Sequence, residues 1–157
     1  MSRTDERGFT LTELMVTLVI IGLLSSAVVL TMRDPRESLV DGGEAFAARA
    51  RAAQQLAIAE SRDIGLWVSP EGYGFERYDG EGWLPETQPP LQQRTWPEDA
   101  AVTVAQGAES EAGRTRIVFD MTGLNGPLDV ALSRDGQTVP VAIGADGSIM
   151  VGGNDAG

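Results

Sequence analysis

GFTLTELMVTLVIIGLLSSAVVLTM, residues 8–32, decides how the rest of the chain is read. From Leu14 to Met32 every side chain is apolar, small or hydroxylic, and none is charged. A helix needs about 20 such residues to cross a bilayer core, which is the length of this run. The one carboxylate, Glu13, stands at its amino-terminal edge. An ionisable group at the rim of a membrane span is costly to bury and calls for a partner. In an ordinary signal anchor Glu13 would simply reach into the headgroups, but the residues that flank it are themselves unusual.

Composition narrows the chemistry. The chain has 157 residues, enough for one domain beyond a membrane helix. Formal net charge is -11, and all twelve basic residues are Arg. An acidic exterior opposes a phosphate backbone, so no nucleic acid is expected as a partner. Arg114 and Arg116 form the only close basic pair in the distal part of the sequence. Cysteine is absent, so no disulfide cross-links the fold, and histidine is absent too. The commonest general base and the commonest zinc ligand are therefore both missing.

Beyond the apolar run, Arg33-Asp34-Pro35-Arg36-Glu37 marks its exit, and Pro35 should kink or interrupt the helix. Gly42-Gly43 is a second weak spot. Glu44 to Ser61 is rich in strong helix formers. Leu39, Gly43, Phe46, Ala50, Ala53 and Ala57 fall in one stripe of 3.6-residue period, mostly small, which lets a neighbouring element approach closely. After Arg62 the period changes to two. Strands are expected at Ile64–Val68, with Trp67 on the opposite face from Ile64, Leu66 and Val68, and at Tyr73–Tyr78 and Gly82–Leu84. Further strands are expected at Ala101–Ala105, Thr115–Asp120, Leu128–Ser133, Thr138–Ile143 and Ser148–Val151. The last three are joined by Asp135-Gly136 and Asp146-Gly147, the strongest short-range hairpin signal. Glu86–Pro97 and Gln106–Arg114 read as loops. The expected class is α+β, a long amino-terminal helix packed on an antiparallel β-sheet or β-sandwich domain.

Gly8-Phe9-Thr10-Leu11-Thr12-Glu13 resembles the processing site of the type IV pilin and pseudopilin family, a Gly followed by Phe-Thr-Leu-x-Glu and an apolar helix. The resemblance implies cleavage between Gly8 and Phe9 by a prepilin peptidase, N-methylation of Phe9, and a docking role for Glu13 during filament assembly. Thr12 departs from the branched apolar residue usual before the Glu. The leader also departs from the usual basic one, its Arg3 and Arg7 being balanced by Asp5 and Glu6. The implied organisation is a leader (residues 1–8), a transmembrane and filament-core helix (9–33), a periplasmic continuation (34–62) and a β-rich periplasmic domain (63–157). Ile117-Val118-Phe119-Asp120, followed by Gly123 and a closing Asp-Gly-Ser-Ile, is similar to the H-type minor pseudopilins of type II secretion, the GspH/FimT-like branch. That branch implies a structural subunit, not an enzyme, with no cofactor. Its implied location is the bacterial inner membrane, as a single-pass protein with its domain in the periplasm. Its implied partners are the peptidase, the major and other minor pseudopilins, an inner-membrane assembly platform and membrane lipid. A minor pilin of a type IV pilus is the alternative reading.

Other candidate chemistry is thin. Asp120, Asp129, Asp135 and Asp146 are oxygen donors of the kind calcium takes, but no D-x-D-x-D-G run is present, and the Asp-Gly turns account for two of them. Trp67, Trp83, Trp96, Tyr73 and Tyr78 suit either a β core or an interface. Glu13 is the sharper candidate, because a buried amino group on a neighbouring subunit would need its carboxylate. Glu13→Ala should impair incorporation into a filament while the distal domain stays folded. In-cell crosslinking together with circular dichroism checks both halves, and normal incorporation would remove the docking role.

Overall fold

Thr10 opens the first helix. Its backbone carbonyl accepts from the N–H groups of Glu13 at 3.0 Å and Leu14 at 3.2 Å. Its hydroxyl shares the Glu13 N–H at 3.3 Å, so the side chain adds a second acceptor to the first turn. The computed structural model describes residues 10–31, 35–106, 110–111 and 113–152, and the chain divides into two units, Met1–Asp34 and Pro35–Gly157. Helix α1 spans Leu11–Thr31 and is apolar on all sides. Its described side chains end at Leu24, and every large apolar one among them, from Leu11 to Leu24, is more than half exposed. Among the described residues no helix is long and apolar enough to cross a membrane.

Helix α2, Pro35–Glu60, begins the second unit. Residues 32–34, just before it, lie outside the described residues. The kink or interruption expected at Pro35 falls on that stretch. The expected weakness at Gly42-Gly43 is corrected, since α2 runs through both residues without a break. Their role is contact. A Cβ at Gly43 would meet methyl carbons of Val139 and Val151 at 3.2 Å and of Val141 at 3.3 Å, and one at Gly42 would meet Pro97 Cγ at 2.5 Å. The helix ends in a left-handed residue, Ser61, at φ 51°. The Arg62 N–H then bonds the Ala57 carbonyl at 3.1 Å and the Ser61 N–H that of Ile58 at 3.4 Å, which closes the last turn.

Among the described residues ten strands follow: β1 (Ile64–Val68), β2 (Gly72–Tyr78), β3 (Trp83–Pro85), β4 (Arg94–Thr95), β5 (Ala101–Gln106), β6 (Ser110–Glu111), β7 (Arg114–Phe119), β8 (Leu128–Arg134), β9 (Gln137–Ile143) and β10 (Ile149–Val151). They form two antiparallel sheets. One has the order β3-β2-β1-β7-β6, with β4 also on β2, and the other β10-β9-β8-β5. Two segments expected as loops are corrected by this pairing. Arg94–Thr95 adds to the end of β2 at Gly72-Tyr73, and Ser110–Glu111 folds back on β7. The rest of the 106–114 stretch lies partly outside the described residues. Asp135 and Gly136 have φ of 52° and 77°, the doubly left-handed turn that matches strand twist in a two-residue hairpin.

The stripe on α2 faces both sheets. Leu39, Phe46, Ala47, Ala50, Ala53 and Ala57 have no exposed surface and join the inward residues of both sheets in one apolar cluster. At its centre Phe46 meets Tyr73 edge-on, with ring centroids 4.9 Å apart, and Trp96 at 5.3 Å. Trp96 donates its indole N–H to the Ser69 carbonyl at 2.8 Å, so its one polar atom is satisfied. The α+β arrangement read from the sequence is the one observed. Phe46→Ala should lower unfolding stability by about 3–5 kcal/mol, the range for deleting a fully buried aromatic ring. Urea unfolding of the detergent-solubilised protein measures it, and a loss within 1 kcal/mol would contradict the central place given to this ring.

Candidate functional site

The first turn of α1 carries the sequence-predicted docking residue. Thr10 and Glu13 stand in the T-x-x-E relation of a capping box, a signal already present in the sequence and one that gives Thr10 its structural role. Thr17 donates its hydroxyl to the Glu13 carbonyl at 2.7 Å, which keeps that turn closed. Glu13 is exposed, and among the described residues no cation pairs with its carboxylate. A helix amino terminus has positive dipole character and tolerates a carboxylate well. The group is thus held at a defined, exposed place on α1. Gly8 and Phe9, the expected cleavage and methylation residues, lie outside the described residues.

In the second unit, polar side chains of α2 hold two loops. Gln54 donates its amide to the Gly123 carbonyl at 3.1 Å and the Gly147 carbonyl at 3.3 Å. Arg51 donates to the Ile149 carbonyl at 2.8 Å. Asn125 adds a bond to the Gly144 carbonyl at 2.9 Å. The same α2 thereby fastens the turn after β7 to the turn after β9. Nothing in the sequence singles out Gln54, because its partners are backbone groups about 70 and 90 positions away.

Each of those turns is built on an Asp. Asp120 Oδ1 accepts from the Thr122 hydroxyl at 2.6 Å, the Thr122 N–H at 2.8 Å and the Leu124 N–H at 3.1 Å. Asp146 Oδ1 accepts from the Ser148 hydroxyl at 2.6 Å and the Ser148 N–H at 3.0 Å. The hydroxyl bonds are the main reason that the pKa of each carboxyl lies below the usual carboxylate range, with the backbone bonds adding to it. The arrangement explains these acids as turn formers. Among the described residues no group of three metal-ligating side chains comes together.

The helix, the two sheets and the capped Glu13 can be set beside known proteins. A family model of the prokaryotic N-terminal methylation motif matches residues 3–29, and that of the type II transport protein GspH matches residues 43–147. Among solved structures the chain is similar to the minor pseudopilin EpsH from the type 2 secretion system of Vibrio cholerae. That likeness has a TM-score of 0.61 at 16% identity and covers 73% of this chain and 95% of that one. A second EpsH structure gives a TM-score of 0.63 at 15% identity, covering 75% and 95%. The type IV minor pilin FimU of Pseudomonas aeruginosa gives 0.55 at 15% identity, covering 74% and 89%. No curated protein matches the chain. An α+β fold of this kind behind an amino-terminal methylation motif defines the class as pilin-like. Within that class the chain belongs to the type II transport protein GspH family, whose model covers about two thirds of it. Proteins of this class are structural subunits that are processed at the amino terminus and assemble with one another. The methylation motif implies a membrane anchor with the globular domain outside the cytoplasm.

The lowered pKa values of Asp120 and Asp146 have a consequence of definite sign. Both groups bind a proton less readily when folded, so their contribution to stability is present above the ordinary Asp range. It is lost as pH falls through the depressed folded values. In a carboxyl-detected NMR titration both should titrate below an unperturbed Asp, at about 3.9. Thr122→Ala and Ser148→Ala should each move its own Asp back up, and titration unaltered in the variants would refute the assigned cause.

Proposed function

We propose that this protein is a minor pseudopilin of a type II secretion system. In this reading it is a subunit of the periplasmic pseudopilus, near its tip, and supports export of folded proteins across the outer membrane. The observation that carries the reading is the joint presence, in one chain, of the methylation motif and the GspH domain. Leu14–Met32 serves as a single inner-membrane span, and the second unit stands in the periplasm. A prepilin peptidase cuts between Gly8 and Phe9, and the new amino group of Phe9 is methylated.

The chemistry of assembly follows from solvation. Moving the Phe9 ammonium of an incoming subunit from water into an apolar bundle costs several kcal/mol unless a carboxylate meets it. Glu13, held by the capped first turn and without a cation partner among the described residues, supplies that carboxylate to a neighbour. The apolar surface of α1 supplies the rest of the driving force, first against lipid and then against other helices. The protein acts by occupying a place in a filament, with other pseudopilins and an inner-membrane assembly platform as partners.

A second reading, a minor pilin of a type IV pilus, draws on the likeness to FimU. It keeps the same processing and docking chemistry and changes the machine that is joined. In-cell crosslinking of the full-length protein separates the two. Companion pseudopilins, together with an amino-terminal peptide that begins at methylated Phe9, are the expected result. Pilus subunits with the same peptide would move the protein to the second reading. An uncut leader without pilin-like partners would overturn both.

A further inference from the structure

The second sheet has the order β10-β9-β8-β5, so β5 pairs with β8 on one side. Among the described residues no strand pairs with its other side. An unpaired strand edge offers a row of backbone N–H and C=O groups to another strand, and folded chains protect such edges by shortness, Pro, charge or a covering element. The other edges among the described residues have such protection. β3 has three residues and ends in Pro85, and β4 and β6 have two residues each. β10 has three residues, and α2 reaches it through the Arg51 bond to the Ile149 carbonyl. β5 has six residues, AVTVAQ, with neither a charge nor a Pro. Its one irregularity, a bulge at Ala105, leaves Ala101–Val104 in regular register with β8.

The side chains of β5 are as incomplete as its backbone. Val102 and Val104 pack against the core and are only half-buried. Ala101, Thr103 and Ala105 are exposed on the outer face. Along the register that face continues as Ser133 and Ala131 of β8, then Thr138 and Pro140 of β9, and none of these is charged. Residues 100–108 carry no charge in a chain whose net charge is -11. Two such chains repel one another through their net charge. The β5 edge is a place where they can meet without acids set directly opposite.

We propose that two copies of this chain pair through β5, antiparallel, across a two-fold axis at Thr103. A strand edge is completed by another strand, through main-chain hydrogen bonds. A two-fold contact further requires a surface that complements itself, and β5 does so. With Thr103 opposite Thr103 of the second copy, Val102 of each copy lies opposite Val104 of the other. Residues opposite one another share a face, so this register keeps all four valines on the core side. Each copy then covers the open flank of the other's valines, and two threonines meet outside as a favourable cross-strand pair. Glu98 and Asp99, which precede β5, fall at opposite ends of the pairing in the two copies. The two sheets become one continuous sheet. The pairing belongs to the second unit and does not draw on the filament reading.

The test follows the full-length protein in detergent by sedimentation velocity from about 1 to about 100 μM, where an association of modest affinity shows. The chain should pass from monomer to dimer. Thr103→Lys and Thr103→Glu should each raise the dissociation constant about tenfold or more, because each sets like charges opposite one another. An equimolar mixture of the two variants should regain the dimer. Thr103 is exposed, so both variants should stay folded, which urea unfolding checks. The chain has no cysteine, so Thr103→Cys carries a single thiol that copper phenanthroline should oxidise to an intermolecular disulfide. Gln137→Cys, exposed on β9, should cross-link far less. In cells, a photo-crosslinking amino acid at Thr103 should capture the β5 peptide of a second copy. A chain that stays monomeric over this range would overturn the proposal. So would a dimer that both charged variants retain, which would place the contact elsewhere, or variants that stay apart when mixed. Cross-linking at Thr103→Cys no greater than at Gln137→Cys would refute it as well, and so would capture of a different protein by the Thr103 probe.

Discussion

Everything in the distal unit depends on how closely α2 can approach two sheets at once. A helix of large residues would stand off from the strands and leave a gap between the sheets. Here the buried stripe alternates one large ring, Phe46, with Gly43, Ala47, Ala50, Ala53 and Ala57, so the backbone comes near the valines of β9 and β10. The close approach also brings polar side chains on the flank of the stripe within reach of loop carbonyls, as at Gln54 and Arg51. Apolar fit sets the distance, and hydrogen bonds made at that distance then fix the loops.

The amino-terminal unit is built on the opposite principle. Its described large apolar side chains, from Leu11 to Leu24, are more than half exposed, because a helix that is apolar all round cannot bury its own surface. The one ionisable residue of α1, Glu13, sits where the helix end already favours negative charge. Such a segment is complete only in a lipid or protein environment. The functional weight of the chain therefore divides between a folded unit that satisfies itself and a segment that does not.

How much of this was legible in the sequence follows from the range of the interactions. The helical stripe and the Asp-Gly hairpins rest on local periodicity and backbone preference, and they are found where those signals lie. Arg94–Thr95 and Ser110–Glu111 became strands because distant or folded-back backbone groups pair with them, and a Pro- and Gln-rich stretch gives no local sign of that. Gly42-Gly43 carried an ambiguous signal. Glycine weakens a helix in isolation, yet here the space it leaves is filled by Pro97 and three valines. The placement of Trp67 away from the core was readable from period two, but its burial was not, since it comes from Arg114 and Gly74 on neighbouring strands. Of the site residues, Glu13 was marked by its isolation in an apolar run. Gln54 is unremarkable until the strands are assembled around it.

The glycine steps in α2 also bear on how the domain would carry a load. Gly42 and Gly43 receive Pro97 and the valine side chains as notches receive teeth, and Gln54 ties the helix to turns from both sheets further along. To slide α2 along its axis, these contacts must be lifted together, because moving the helix by one residue presents a side chain where a glycine stood. A pull on the helix is thus shared by both sheets in shear and does not peel one strand at a time. A subunit made this way resists axial tension through interlocked shape, and it does so without any covalent cross-link.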